Sequence, residues 1–138
     1  MAPSFRAGKG AYFSLTSATA GTINYSSGLD EASLERMAAA LDVTTFGDND
    51  EVYIAGLRGG TLSLSGHFAS TYEEKLSALL GHTTTPQWIY GPESTSNTRR
   101  KLSGGGILTK FGIGAPVADK VSMSFDLQLS GAVTSTTF

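Results

Sequence analysis

Over residues 121–130 every second side chain is apolar: Val121, Met123, Phe125, Leu127 and Leu129 alternate with Ser122, Ser124, Asp126, Gln128 and Ser130. Successive side chains of a strand point to opposite faces, so this period predicts a long strand buried on one side and open on the other. Residues 60–68 carry the same pattern, with Leu62, Leu64 and Phe68 on one side and Thr61, Ser63, Ser65 and His67 on the other. Shorter strands are predicted over 11–16 and 22–25, a hairpin split by the turn-prone segment 17–21. A brief aromatic strand follows at 87–90, bounded by Pro86 and Gly91-Pro92. Residues 99 to about 113 read as extended, and Gly104-Gly105-Gly106 would weaken or bulge that strand wherever it pairs.

Two stretches change period. Leu34, Met37, Ala38 and Leu41 recur at i, i+3, i+4 and i+7. With Asp30 placed to cap the first amides, this predicts an amphipathic helix from residue 30 to 41 that packs its stripe on the sheet. Thr71 and Glu74 have capping-box spacing, and Tyr72, Leu76, Leu79 and Leu80 mark an apolar side before Gly81, which predicts a second short helix. After the first helix, residues 42–51 hold Asp42, Asp48, Asp50 and Glu51 among Thr, Gly and Asn without a base. That composition predicts a projecting loop over 42–56.

The chain has 138 residues, the size of one domain, and its 17 glycines and frequent Ser and Thr favour strands and turns. Twelve acidic against ten basic residues leave a formal charge of −2, far from the basic balance of a dedicated nucleic-acid binder. With no cysteine, disulfide scaffolds, thiolate zinc sites and cysteine nucleophiles are all excluded. Residues 1–10 and 135–138 read as terminal arms, and no apolar run exceeds about five residues, against the ~20 needed to cross a bilayer.

No residue pattern supplies catalysis. Asp48, Asp50 and Glu51 lack the offsets of a calcium loop, and Gly8-Lys9-Gly10 lacks the rest of a phosphate loop. His67 and His82 have no local nucleophile or metal partner. Asn24-Tyr25-Ser26 matches a glycosylation triplet of a kind that arises often by chance. Trp88 and Tyr90 read as core, with a sugar-stacking platform as the alternative. Arg99, Arg100 and Lys101 form the one basic run, either a solvated edge or a contact surface. The polar sides of the two clearest strands contain no Lys or Arg, although exposed strands often carry lysine to discourage edge pairing. They are either a plain hydroxyl surface or one with a special use.

Thr44-Thr45-Phe46-Gly47-Asp48, then Tyr53-Ile54-Ala55-Gly56-Leu57, Gly60 and the strand at 62–66 follow in an order that resembles the major tail tube proteins of long-tailed phages. Trp88-Ile89-Tyr90-Gly91-Pro92-Glu93, the Gly-rich strand to Lys110, and Phe125 through Gly131-Ala132-Val133-Thr134 continue the resemblance, which covers about 12–134. Ala55 stands where such proteins often have proline.

The resemblance implies one mainly β tail-tube domain over 1–138, a β-sandwich or partly rolled barrel with a flanking α-helix and a second short helix. It also implies a non-enzymatic subunit without cofactor or metal, made in the host cytoplasm. Six copies would close a ring, and stacked rings would form the virion tail tube through which genomic DNA passes without sequence-specific binding. The partners implied are further copies, the tape measure, terminator and distal tail proteins, and no membrane. DNA carries one charge per ~1.7 Å of axis, so a cation-free lumen would let it slide. On this reading Ser63, Ser65, Ser122, Ser124, Asp126 and Gln128 face the lumen. Asp42, Asp48, Asp50 and Glu51 reach a neighbouring subunit or ring, with Arg99, Arg100 and Lys101 as acceptors. The alternatives are a carbohydrate-binding or adhesion module, and a tube subunit of type VI secretion or of a gene-transfer particle.

Overall fold

The computed structural model describes residues 10–17, 21–80, 86–93, 95 and 99–138. The alternating segment at 121–130 lies in β7 (Ser122–Thr137), which forms the spine of the molecule. Before it along the chain come β1 (Tyr12–Ser17), β2 (Gly21–Asn24), β3 (Leu29–Asp42), β4 (Tyr53–His67), α1 (Ser70–Leu79), β5 (Gln87–Gly91) and β6 (Arg100–Gly114). The seven strands make one antiparallel sheet in the order β2-β1-β5-β6-β7-β4-β3.

Alternation decides what is buried. Met123, Phe125 and Leu127 of β7, Leu62 and Leu64 of β4, Leu108 of β6, Trp88 of β5, and Phe13 and Leu15 of β1 form one core with Tyr25. Leu76 and Leu79 bring α1 onto the same cluster. The sheet is rolled: β1 and β7 are three strands apart, about 14 Å in a flat sheet, yet the Phe13 and Phe125 rings lie 6.1 Å apart. Tyr25 sits in the turn from β2 to β3, with its ring 5.6 Å from Phe125 and 4.8 Å from Tyr72 of α1.

The helix expected over 30–41 is instead the strand β3, paired with β4 from Leu29↔Gly66 to Asp42↔Tyr53. Its residues are helix-prone, but the ladder with β4 supplies non-local bonds that override local preference. Asp30 is therefore not a helix cap. The second helix forms one residue before Thr71, with Ala69 at the N-cap and no side-chain cap, so the capping box is not used.

Two boundaries also differ from the sequence reading. Residues 53–56 belong to β4, which confines the loop to 43–52. Ser135, Thr136 and Thr137 of the expected C-terminal arm pair with Leu102, Lys101 and Arg100 as the end of β7. The glycine-rich part of β6 does interrupt the ladder, with a register shift between Ser103 and Gly105. There the Trp88 indole N–H donates to the Gly105 carbonyl at 3.1 Å. A Cβ on Gly106 would stand 3.4 Å from the indole.

β4 and β7 pair only from Thr61↔Gln128 to His67↔Ser122. Beyond Gly60 and Gln128 the sheet forks, since β4 continues with β3 alone and β7 continues with β6 alone. Gly131, at φ 84°, takes a backbone conformation suited to glycine just past the fork.

Candidate assembly surfaces

Register brings the sequence-predicted lumen residues together. Ser63 lies opposite Asp126, Ser65 opposite Ser124, and Thr61 opposite Gln128; Ser122 faces His67 at the end of the same face. Ser63, Ser124 and Gln128 are exposed, while Ser65, Ser122 and Asp126 are half-buried. Gln128 Nε2 donates to the Gly60 carbonyl at 3.0 Å, and Ser65 Oγ to Asp30 Oδ1 at 3.5 Å.

Two neighbouring strands widen this face. β3 contributes Glu31, Ser33 and Glu35 opposite Ser65, Ser63 and Thr61, and β6 contributes Lys110 opposite Asp126. Sequence reasoning missed these residues. The signal was present in the alternation of Glu31, Ser33 and Glu35 with Ala32 and Leu34, and the helical spacing around Met37 obscured it. The result is a four-strand polar face, β3-β4-β7-β6, with carboxylates on β3 and β7 and a cation at Lys110 of β6.

Past the fork, the β3–β4 pair becomes an arm with exposed apolar side chains. Met37, Leu41 and Ile54 are half or more exposed, and Leu57 is 91% exposed. Phe46 at the tip is wholly exposed. The loop displaying it is internally bonded. Thr45 N–H donates to Asp48 Oδ2 at 2.8 Å and Asp48 N–H to the Thr45 carbonyl at 3.0 Å. Val52 N–H donates to Thr44 Oγ1 at 2.8 Å, and Thr44 N–H to Asp42 Oδ1 at 2.9 Å. Hydrogen bonds from Thr44 hold the Asp42 carboxyl below its usual range. Asp42 and Asp48 thus shape the loop, whereas Glu51 accepts from the Tyr53 hydroxyl at 2.9 Å.

Two side chains of the basic run, Arg100 and Lys101, have contacts within their own chain. Arg100 donates to Ser135 Oγ at 2.6 Å, Lys101 Nζ stands 5.7 Å from the Phe138 ring centroid, and the Arg99 carbonyl accepts from Phe138 N–H at 3.0 Å. Trp88 is fully buried, and Tyr90 is half-buried with burial raising its phenol, which rules out the paired sugar platform. Among the described residues no three His, Asp or Glu side chains gather as a metal site, and no helix is long and apolar enough to cross a membrane. Residues 1–9 of the N-terminal arm and His82 lie outside the described residues.

No family model matches the chain, and no curated protein matches it in sequence. Its rolled sheet superposes on a subunit from the tail of an empty gene transfer agent particle with C6 symmetry, at a TM-score of 0.80 and 16% identity. That match covers 96% of this chain and 99% of the other. The chain has the tail-tube fold. The SPP1 tail tube subunit agrees at a TM-score of 0.77 and 10% identity, over 96% of this chain and 80% of that one. A tube subunit from an extracellular contractile injection system sheath–tube complex matches at 0.66 and 11% identity, covering 99% and 91%. The tail-tube fold therefore joins all seven strands and the helix to one architecture.

Proposed function

We propose that this chain is a structural subunit that assembles into six-membered rings, and that these stack into the tail tube of a phage-like particle. The observation that carries the reading is the four-strand polar face, which is broad, largely exposed and ends at β3, an edge strand of the sheet. An isolated sheet with such edges invites pairing, and a closed head-to-tail ring removes them. The fold shared with the C6 gene transfer agent tail supports six as the ring size.

In this reading Ser63, Ser65, Ser122, Ser124, Asp126 and Gln128 line the channel, joined by Glu31, Ser33 and Glu35. Phosphates of passing DNA meet hydroxyls and carboxylates, with Lys110 opposite Asp126 as a cation on the same face, which leaves little to bind by counterion release. The chemistry is non-enzymatic: the subunit contributes a wall. Its partners are further copies, the other tail proteins and the DNA in transit, and its place is the virion tail. Negative-stain microscopy with light scattering at rising protein concentration tests this. Hollow rings or tubes are expected, and a monomer of 14.4 kDa at every concentration and salt would overturn it.

A further inference from the structure

The fork between the two arms and the tip of the β3–β4 arm complement each other chemically. A notch of about 420 Å³ opens where β4 and β7 part, lined by Met37, Leu129 and Val133 with Arg36 and Arg58. Arg36 lies opposite Gly60 and Arg58 opposite Ala38, two positions along, so alternation puts both arginines on one face of the hairpin. Both are exposed, and neither makes a hydrogen bond or ion pair with another described residue. The tip carries the reverse set: Phe46 fully exposed, then Asp50 and Glu51. The Thr45–Asp48 turn and the Thr44–Val52 bonds hold this display in place before any contact is made, which lowers the ordering cost of docking.

A tip cannot reach the notch of its own chain, because the strand from Arg36 to Asp42 holds them about 20 Å apart at ~3.4 Å per residue. We infer that the tip of one copy docks in the notch of a second, with Phe46 entering beside Leu129 and Val133 and with Asp50 and Glu51 facing Arg36 and Arg58. Phe46 is an apolar anchor for a gap walled by Leu129 and Val133, and the carboxylates meet guanidinium groups that have no partner among the described residues. The contact is head-to-tail, so a bound copy still offers one free tip and one free notch, and assembly propagates. This takes the place of the basic run at 99–101, where the Arg100 and Lys101 side chains already have contacts at home, as the acceptor of the acidic loop.

The inference rests on the self-assembly reading and is tested beside it with two variants. R36S/R58S removes the notch charges and keeps the tip; F46S/D50S/E51S removes the tip and keeps the notch. Each alone is expected to need a concentration about tenfold or more above wild type before particles appear, the scale of losing an anchor and its charged contacts. Mixed one to one, they still offer one intact tip and one intact notch, so light scattering should show a discrete pair that neither forms alone. Pair formation also establishes that both variants are folded. Assembly of either variant at the wild-type concentration, or a mixture that stays unpaired, overturns the tip-in-notch contact while leaving the tube reading intact. A wild type that never assembles overturns both.

Discussion

Gly60 and Leu129 meet where β4 and β7 separate: a Cβ on Gly60 would stand 3.0 Å from Leu129 Cδ1 and would collide with the Glu35 carbonyl oxygen. The second contact is backbone in a paired strand, so it cannot swing aside as a side chain can. Gly60→Ala is expected to destabilise the protein by about 1–3 kcal/mol, the usual cost of forcing atoms into a packed site. Trimming the partner in G60A/L129A should not restore stability, because the carbonyl remains. Urea unfolding of the two variants checks this, and full recovery in the double variant would show that crowding by Leu129 alone matters.

Tyr25 is fully buried, and its hydroxyl has no hydrogen-bond partner among the described residues. Burial raises its phenol well above the ordinary value, with the neighbouring Tyr72 adding to the rise. An orphaned buried hydroxyl costs stability, so Tyr25→Phe should be neutral or stabilising by up to about 1 kcal/mol. Chemical denaturation reads it directly. A loss beyond that size would mean the hydroxyl has a partner.

The loop that presents Phe46 should loosen in acid. Asp42 is held below its usual value of 3.8 by the bonds from Thr44, so the ionised form is favoured in the folded chain. That contribution is fully present above the usual value and is lost as pH falls through the lower folded value. The protection of the Thr44 amide against exchange, followed by NMR relative to the unfolded chain, should fall only below about pH 4. Asp42→Asn keeps an oxygen acceptor but removes the ionisation, and should flatten this dependence. Protection at Thr44 that falls equally in both proteins would contradict the assignment.

Much of this architecture was legible in the sequence. Alternation at 60–68 and 121–130 set both the core residues and the polar face, because those strands are buried on one side and the period survives. At β3 the signal is split. Glu31, Ser33 and Glu35 alternate with Ala32 and Leu34, but Met37 to Leu41 lies past the fork, where neither side is buried in one chain, and its apolar run mimics a helical stripe. Sequence also could not show that Arg100 and Lys101 are tied to Ser135 and Phe138, since those contacts depend on a pairing across the sheet. The acidic loop was visible by composition, yet the division of labour within it was not: Asp42 and Asp48 bond inside the loop, while Asp50 does not.

The polar face makes a separate prediction. Lysine at Ser63 and Ser124 should leave the core unchanged, since those side chains are exposed. Assembled particles of this variant should acquire binding of short duplex DNA that weakens steeply as salt rises, whereas native particles bind none. Filter binding at several salt concentrations measures it, and a variant that gains no DNA binding would argue that these residues face away from the channel.

Cryo-electron microscopy of the assembled protein tests the central claim most directly. The account predicts six subunits per ring, with Ser63, Ser124, Asp126 and Gln128 on the channel wall and the β3–β4 arm reaching a second copy. A reconstruction that turns the β3-β4-β7-β6 polar face to the outside of the particle would contradict it.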